Sequence, residues 1–233
     1  MLNVKLSIYC SWYGQSGAEI CSTIVIGDKD TFTKEMHNLL QHSRHVWHGL
    51  WQRMTIMMPT LETDHLYLRP FVLADAPEVQ RLAGDFAIAD TTQNLPHPYE
   101  DGMAEAWIAT HQGTFSAGVG LILAIVLKST DTLIGAMSLL DILPGHRAEL
   151  GYWVGRDFWN QGYCTEAAHS MLQYAFTELD LTRVYARHLS RNPASGRVMQ
   201  KLGMQHEGTL RKHVQKWQVF EDVEVYGLLR EEN

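Results

Sequence analysis

The sequence predicts a mixed α/β (α+β) fold, a sheet with helices on its faces, and three observations carry that prediction. Two β-branched apolar runs, Leu121 to Leu127 and Thr132 to Leu140, flank Lys128-Ser129-Thr130-Asp131 in the pattern of a hairpin. Two helical patterns, Thr165 to Glu178 and Pro193 to Leu202, alternate with apolar strands at Ala148 to Val154 and Arg183 to Leu189. Of the 233 residues, 45% are apolar and 19% charged, enough to bury a core and too apolar for disorder.

Taken in order, residues 1–58 show no sustained helical or strand period. They hold Trp12, Trp47, Trp51 and four histidines (His37, His42, His45, His48) whose spacing matches no metal site. This stretch is expected to be an unassigned N-terminal extension, disordered or outside the native fold, with one short helix from Phe32 to Leu40. Residues 59–233 form the domain. Leu66 to Phe71 alternates as a half-buried strand that stops at Pro70. Asp75 precedes a short helical pattern through Val79 and Leu82, as an N-cap would. Thr91 to Pro98 is a loop, and Tyr99 to Phe115 an amphipathic helix with Met103, Trp107 and Ile108 on one face. After the hairpin, Leu143 to Arg147 is a turn. The helix from Thr165 carries Ala167 and Ala168, small enough to lie close to a sheet. Gly203 ends the Pro193 helix, and strands follow around 204–210 and 219–229.

The formal charge of −7 removes the usual footprint of a nucleic-acid-binding domain. Residues 1–58 hold five Lys/Arg against four Asp/Glu, so 59–233 carries −8. Three cysteines without CxxC spacing argue against a disulfide scaffold or a zinc site. No apolar run is long enough for a membrane span, and the first ten residues make a poor signal peptide, so a cytoplasmic protein is expected.

Chemistry concentrates in one segment. The strand Glu149 to Val154 is followed by Trp159-Asn160-Gln161-Gly162-Tyr163-Cys164-Thr165-Glu166, a Gly-centred loop opening a helix. Such a loop presents backbone N–H groups without intrahelical partners, a place for phosphate or pyrophosphate. Neither GxGxxG nor GK[ST] occurs here, which leaves a pyrophosphate turn of the coenzyme A type.

From about Pro59 to Leu229 the chain resembles the GNAT superfamily of acetyl-CoA-dependent N-acetyltransferases, most of all the RimJ/RimL type. The resemblance rests on Leu61-Glu62-Thr63, Arg69-Pro70-Phe71, Gly151-Tyr152-Trp153, Gln161 to Ala167, Asn192-Pro193-Ala194-Ser195, Lys201 to Met204, Glu207-Gly208, Asp222 and Tyr226 to Leu229. It implies a mixed, mostly antiparallel sheet of about seven strands. In it the strand at Gly151 to Val154 bulges and splays from its parallel neighbour, and the pantetheine arm of acetyl-CoA lies in the wedge. It implies that Trp153 and Val154 contact the pantetheine, that Gln161, Gly162, Tyr163, Cys164 and Thr165 cradle the pyrophosphate, and that Asn192 bonds the arm near the thioester. No metal is implied. Two departures stand out. Trp159 and Cys164 occupy the ends of the phosphate motif, and Met199 stands where many members have the Tyr that protonates the thiolate. Ser195 becomes the candidate acid, and Glu149 the candidate base acting through water.

Amine acetylation needs a neutral nucleophile. An α-amine is roughly 10% neutral at pH 7, a lysine only about 0.04%. A site without an obvious strong base therefore favours protein N-termini, ribosomal proteins among them, over a polyamine, amino acid or aminoglycoside. A non-catalytic acyl-CoA-binding module is the competing class. His97 lies in the loop where the family builds its acceptor pocket, Cys164 reads as a small packing residue, and Asp222 as a structural hydrogen-bond partner. Such proteins are monomers or homodimers.

Overall fold

The computed structural model describes residues 6–13, 19–26 and 55–232, and the chain divides into two compact units, Met1–Thr60 and Leu61–Asn233. In the first unit, β1 (Leu6–Tyr13) and β2 (Glu19–Ile26) pair antiparallel from Leu6↔Ile26 to Tyr13↔Glu19. The short β3 (Thr55–Ile56) pairs with β1 through Ile8 and Tyr9. Residues 1–58, expected to be an extension without a sustained strand period, hold this strand pair, and Thr23-Ile24-Val25-Ile26 within it is a β-branched run. The helix expected over 32–40 and the four histidines lie outside the described residues.

The second unit begins with β4 (Leu61–Glu62) and β5 (Leu66–Pro70), then helices α1 (Ala76–Ala83), α2 (Phe86–Thr91) and α3 (Met103–Ser116). Strands β6 (Leu121–Leu127), β7 (Thr132–Leu143) and β8 (Arg147–Val154) follow, then α4 (Tyr163–Thr177), β9 (Arg183–Leu189) and α5 (Pro193–Lys201). The hairpin of β10 (Gln205–Lys216) and β11 (Val219–Leu229) closes the domain. The strand order is β10-β11-β9-β8-β7-β6-β5-β4, eight strands, all antiparallel except β8 with β9.

Period-2 alternation assigns the faces. Ile122, Ala124 and Val126 of β6 join Phe71, Val79, Leu82, Ala104 and Ile108 in a core under α1 and α3. Leu121, Leu123 and Ile125 point the other way, and α4 lies across β5, β7 and β8 through Ala167, Ala168, Met171 and Ala175. The two alanines are fully buried, as small residues at a close helix–sheet contact should be. His111 of α3 is buried between the edges of Phe71 and Trp107 with neither ring nitrogen bonded. Burial pulls its pKa down to about 4, so the ring stays neutral.

Two local expectations change. Asp75 does not cap α1. Its carboxylate accepts the Val72 N–H at 2.9 Å and a two-pronged bond from Arg69 at 2.8 and 2.9 Å, fastening the end of β5 to the turn. The helix expected from Tyr99 begins at Met103, because Gly102 in the left-handed region (φ 86°) turns the chain there.

Candidate active site

The site is built where β8 and β9 part. Their parallel pairing runs only from Arg147↔Arg183 to Leu150↔Ala186, and beyond it Gly151–Val154 and Arg187–Leu189 have no pairing with each other. The ladder of β8 with β7 is unshifted from Glu149↔Leu140 to Val154↔Gly135, so the wedge comes from divergence rather than from the bulge expected on β8. The register shift lies instead between Leu140 and Leu143. Gly135 is required in this ladder, since an added Cβ would meet the Trp153 carbonyl.

Past Val154 the chain is held tightly. The Gly155 N–H donates to the Ile134 carbonyl at 2.8 Å and the Trp159 indole to the Val154 carbonyl at 2.6 Å. Trp159 therefore braces the turn. The side-chain amide of Gln161 donates to the Asp157 carbonyl at 3.0 Å, closing the loop. Gly162 then turns into α4 at φ 90°, a conformation that suits glycine and admits the helix without a side-chain cap. The first intrahelical bond is from the Glu166 N–H to the Gly162 carbonyl, so the N–H groups of Tyr163, Cys164 and Thr165 have no acceptor within the helix. Glu166 pins this turn to the start of the domain, accepting from the Thr63 hydroxyl (2.5 Å) and the His65 N–H (2.8 Å). Desolvation opposes its ionisation, but those bonds outweigh it and hold its pKa below the usual carboxylate range.

The other wall is the start of α5. Asn192 caps it, its Oδ1 accepting the Ser195 N–H, while its Nδ2 donates to the Thr91 carbonyl at 3.2 Å. The Ser195 hydroxyl lies 2.9 Å from the Tyr152 hydroxyl, which reaches across from β8. Burial pushes the Tyr152 phenol well above its ordinary pKa, so it keeps its proton. Met199 is buried in the core and has no part in the wedge.

Glu149 is not free. Arg187 holds both of its oxygens at 2.8 Å, and the Tyr185 hydroxyl donates to it at 3.3 Å. Burial pushes the Cys164 thiol up to about 12, so it is no thiolate nucleophile at neutral pH. Tyr152, Arg187 and Trp159 are the residues sequence reasoning gave no role. For Arg187 the signal is the Glu149↔Tyr185 register, which spacing alone does not reveal. Among the described residues no cluster of His, Cys, Asp and Glu could hold a metal, and no helix is long and apolar enough to cross a membrane.

Residues 65–205 match the model of the acetyltransferase (GNAT) domain. The chain belongs to the GNAT family. Over 177 residues it is 31% identical to the N-acetyltransferase p20 of Bacillus licheniformis, covering 75% of this chain and 98% of that protein. A GNAT-family acetyltransferase structure from Bacillus anthracis superposes with a TM-score of 0.67 at 24% identity, over 74% of this chain and 99% of the other. RimL, the ribosomal L7/L12 α-N-protein acetyltransferase in complex with coenzyme A, shares the fold with a TM-score of 0.67 at 16% identity, over 73% and 97%. This GNAT chain is accordingly an acetyl-CoA-dependent N-acetyltransferase. The uncapped donors at 163–165 and the open wedge beside β8 are chemically suited to a diphosphate and an amide-bearing arm.

Proposed function

We propose that the enzyme acetylates the α-amine of a protein N-terminus by direct attack in a ternary complex, ribosomal proteins being one candidate group. The observation that carries this reading is Glu149. Its carboxylate is fully engaged by Arg187 and Tyr185. A site whose nearest carboxylate is committed favours an amine that is already partly neutral. Deprotonating a lysine at pH 7 costs about 4.6 kcal/mol, against roughly 1 kcal/mol for an α-amine.

In this reading acetyl-CoA supplies an activated acyl group as a thioester. The N–H groups of Tyr163, Cys164 and Thr165 hold its diphosphate, on a turn shaped by Gln161 and Gly162. Val154 meets the arm with its main chain while Trp153 lies beside it, its own main chain turned to β7, and a main-chain N–H there meets the developing oxyanion. The Val154 carbonyl is already taken by Trp159, so Val154 contributes its N–H side. Asn192 orients the arm beside Ser195. The new N–C bond forms as the C–S bond breaks. The amine's proton passes to water, and Ser195, held in place by the Tyr152 hydroxyl, gives its proton to the departing sulfur and recovers one from solvent. Glu149 positions β8 against β9 through Arg187.

Thiol release from acetyl-CoA in the presence of a peptide library tests this. Ser195→Ala should lower kcat by about a hundredfold or more, as loss of a general acid does. Glu149→Gln should cost less than Ser195→Ala. Bound acetyl-CoA with no thiol released by any peptide would falsify the assignment.

A further inference from the structure

One exposed surface is not explained by the fold. Phe86, at the first turn of α2, is 53% exposed, and Trp217, at the tip of the β10–β11 hairpin, is 40% exposed. The two rings stack at 5.7 Å with planes 24° apart, and His97 meets the edge of Phe86 at 5.2 Å. We propose that Phe86 and Trp217 form a shelf that selects acceptors carrying an apolar group beside the reactive amine. This rests on the acetyl-transfer reading and names its acceptor more closely.

Three observations place and characterise the shelf. First, Trp217 is held at a backbone conformation that bulky side chains avoid. Lys216 pairs with Val219, and the two residues between them, Trp217 (φ 49°) and Gln218 (φ 64°), both lie in the left-handed region. A two-residue hairpin of this kind ordinarily takes Asn-Gly. Here Trp217 stays because its indole donates to Asp90 Oδ1 at 2.8 Å and the Lys216 ammonium sits 4.6 Å over its ring.

Second, the shelf is wired to the reacting end of the wedge. Asp90, which receives the Trp217 indole, also accepts from Arg191 at 2.8 Å. The next residue, Thr91, accepts the amide of Asn192, and Asn192 caps the turn bearing Ser195. The aromatic surface is thus separated from the Ser195–Tyr152 hydroxyl pair by a short run of hydrogen bonds.

Third, the charges around it cancel. Arg191 consumes both Asp90 and Glu221. The Lys216 ammonium is buried and donates to the Leu95 carbonyl at 2.7 Å. The near face of Trp217 already carries a cation, so a second cation on the acceptor would find repulsion there and no unpaired carboxylate among these groups. An apolar side chain gains by covering the rings, and a polyamine does not.

The test compares thiol release with peptides beginning with Phe or Ala, with phenylalaninamide and alaninamide, and with spermidine, for the wild type, Phe86→Ala and Phe86→Tyr. Phe86 is surface-exposed, so truncating it leaves the core intact. The wild type should prefer the Phe member of each pair. Phe86→Ala should reduce that preference about tenfold, the scale of a lost aromatic contact with its buried area, and Phe86→Tyr should retain it. A wild type without the preference, a preference indifferent to Phe86→Ala, or spermidine as the best acceptor overturns the shelf. If the amides show the preference and its Phe86 dependence while no peptide reacts, the shelf stands and the protein N-terminus reading fails. No thiol release with any of these amines overturns both.

Discussion

The starts of α4 and α5 face the same wedge from opposite sides, yet their backbone donors are treated in opposite ways. At α5 a side chain takes up the turn: Asn192 accepts the Ser195 N–H and ties the helix to Thr91. At α4 no side chain does so, and Gly162 enters the helix at φ 90° with the next three N–H groups left over. One helix start is finished by the protein itself, while the other keeps its donors free, as the proposed diphosphate contact needs. The missing cap alone is not the distinction, since α3 also starts uncapped at a left-handed glycine, Gly102; what sets α4 apart is that its free donors stand beside the place where β8 and β9 part.

Supplying α4 with its own anion should break the contrast most sharply. Thr165→Asp places a carboxylate in the first turn, where it answers the free donors and repels a diphosphate. Acetyl-CoA affinity measured by calorimetry should fall by about a hundredfold, the worth of one or two charge-assisted hydrogen bonds. The melting temperature without ligand should hold or rise. A fall in stability with unchanged affinity would show that the donors are not the phosphate site.

Opening α5 is the converse and smaller experiment. Asn192→Ala removes the cap and should cost about 1 kcal/mol in denaturant unfolding. The same change frees Thr91, so turnover should drop as well. A variant as stable as the wild type would mean the cap is dispensable and the two termini are less different than they look.

The smallest effect concerns how the open terminus is anchored. Glu166 has a folded-state pKa below its unfolded one, so its stabilising contribution is complete above about pH 4.3. That contribution is lost as pH falls through the folded-state value. Glu166→Gln should therefore lower stability at pH 7 and shrink the gap to wild type on acidification. A gap that widens toward low pH would contradict the sign.

Much of this was legible because the strongest elements carry strong periodicity. The β6 run of seven apolar residues and the strand Arg183–Leu189 begin and end where the sequence puts them. The Gly-centred loop also announces its own helix start. What escaped were contacts between distant segments. That Arg187 faces Glu149 follows from Glu149↔Tyr185 pairing in a parallel ladder, and parallel register has no local marker. Helix α2 was missed because six residues after Gly84 are too short to show a period, although Asp85 caps it by accepting the Ala87 N–H. The β10–β11 connection is expected as a loop between strands at 204–210 and 219–229, whereas β10 runs on to Lys216, because Trp217-Gln218 has none of the residues that advertise a tight turn.

The brevity of the β8–β9 pairing has a mechanical consequence. Four paired positions are all that join a five-strand half, β4 to β8, to a three-strand half, β9 to β11, along the sheet. The ladders on either side are longer, seven positions for β9 with β11 and seven for β7 with β8. The sheet is thus two plates meeting at a short seam, stitched at its closed end by the Glu149–Arg187 pair and at its open end by Tyr152 and Ser195. A molecule lying in that gap completes the seam, so the substrate becomes for a moment part of what holds the two plates together.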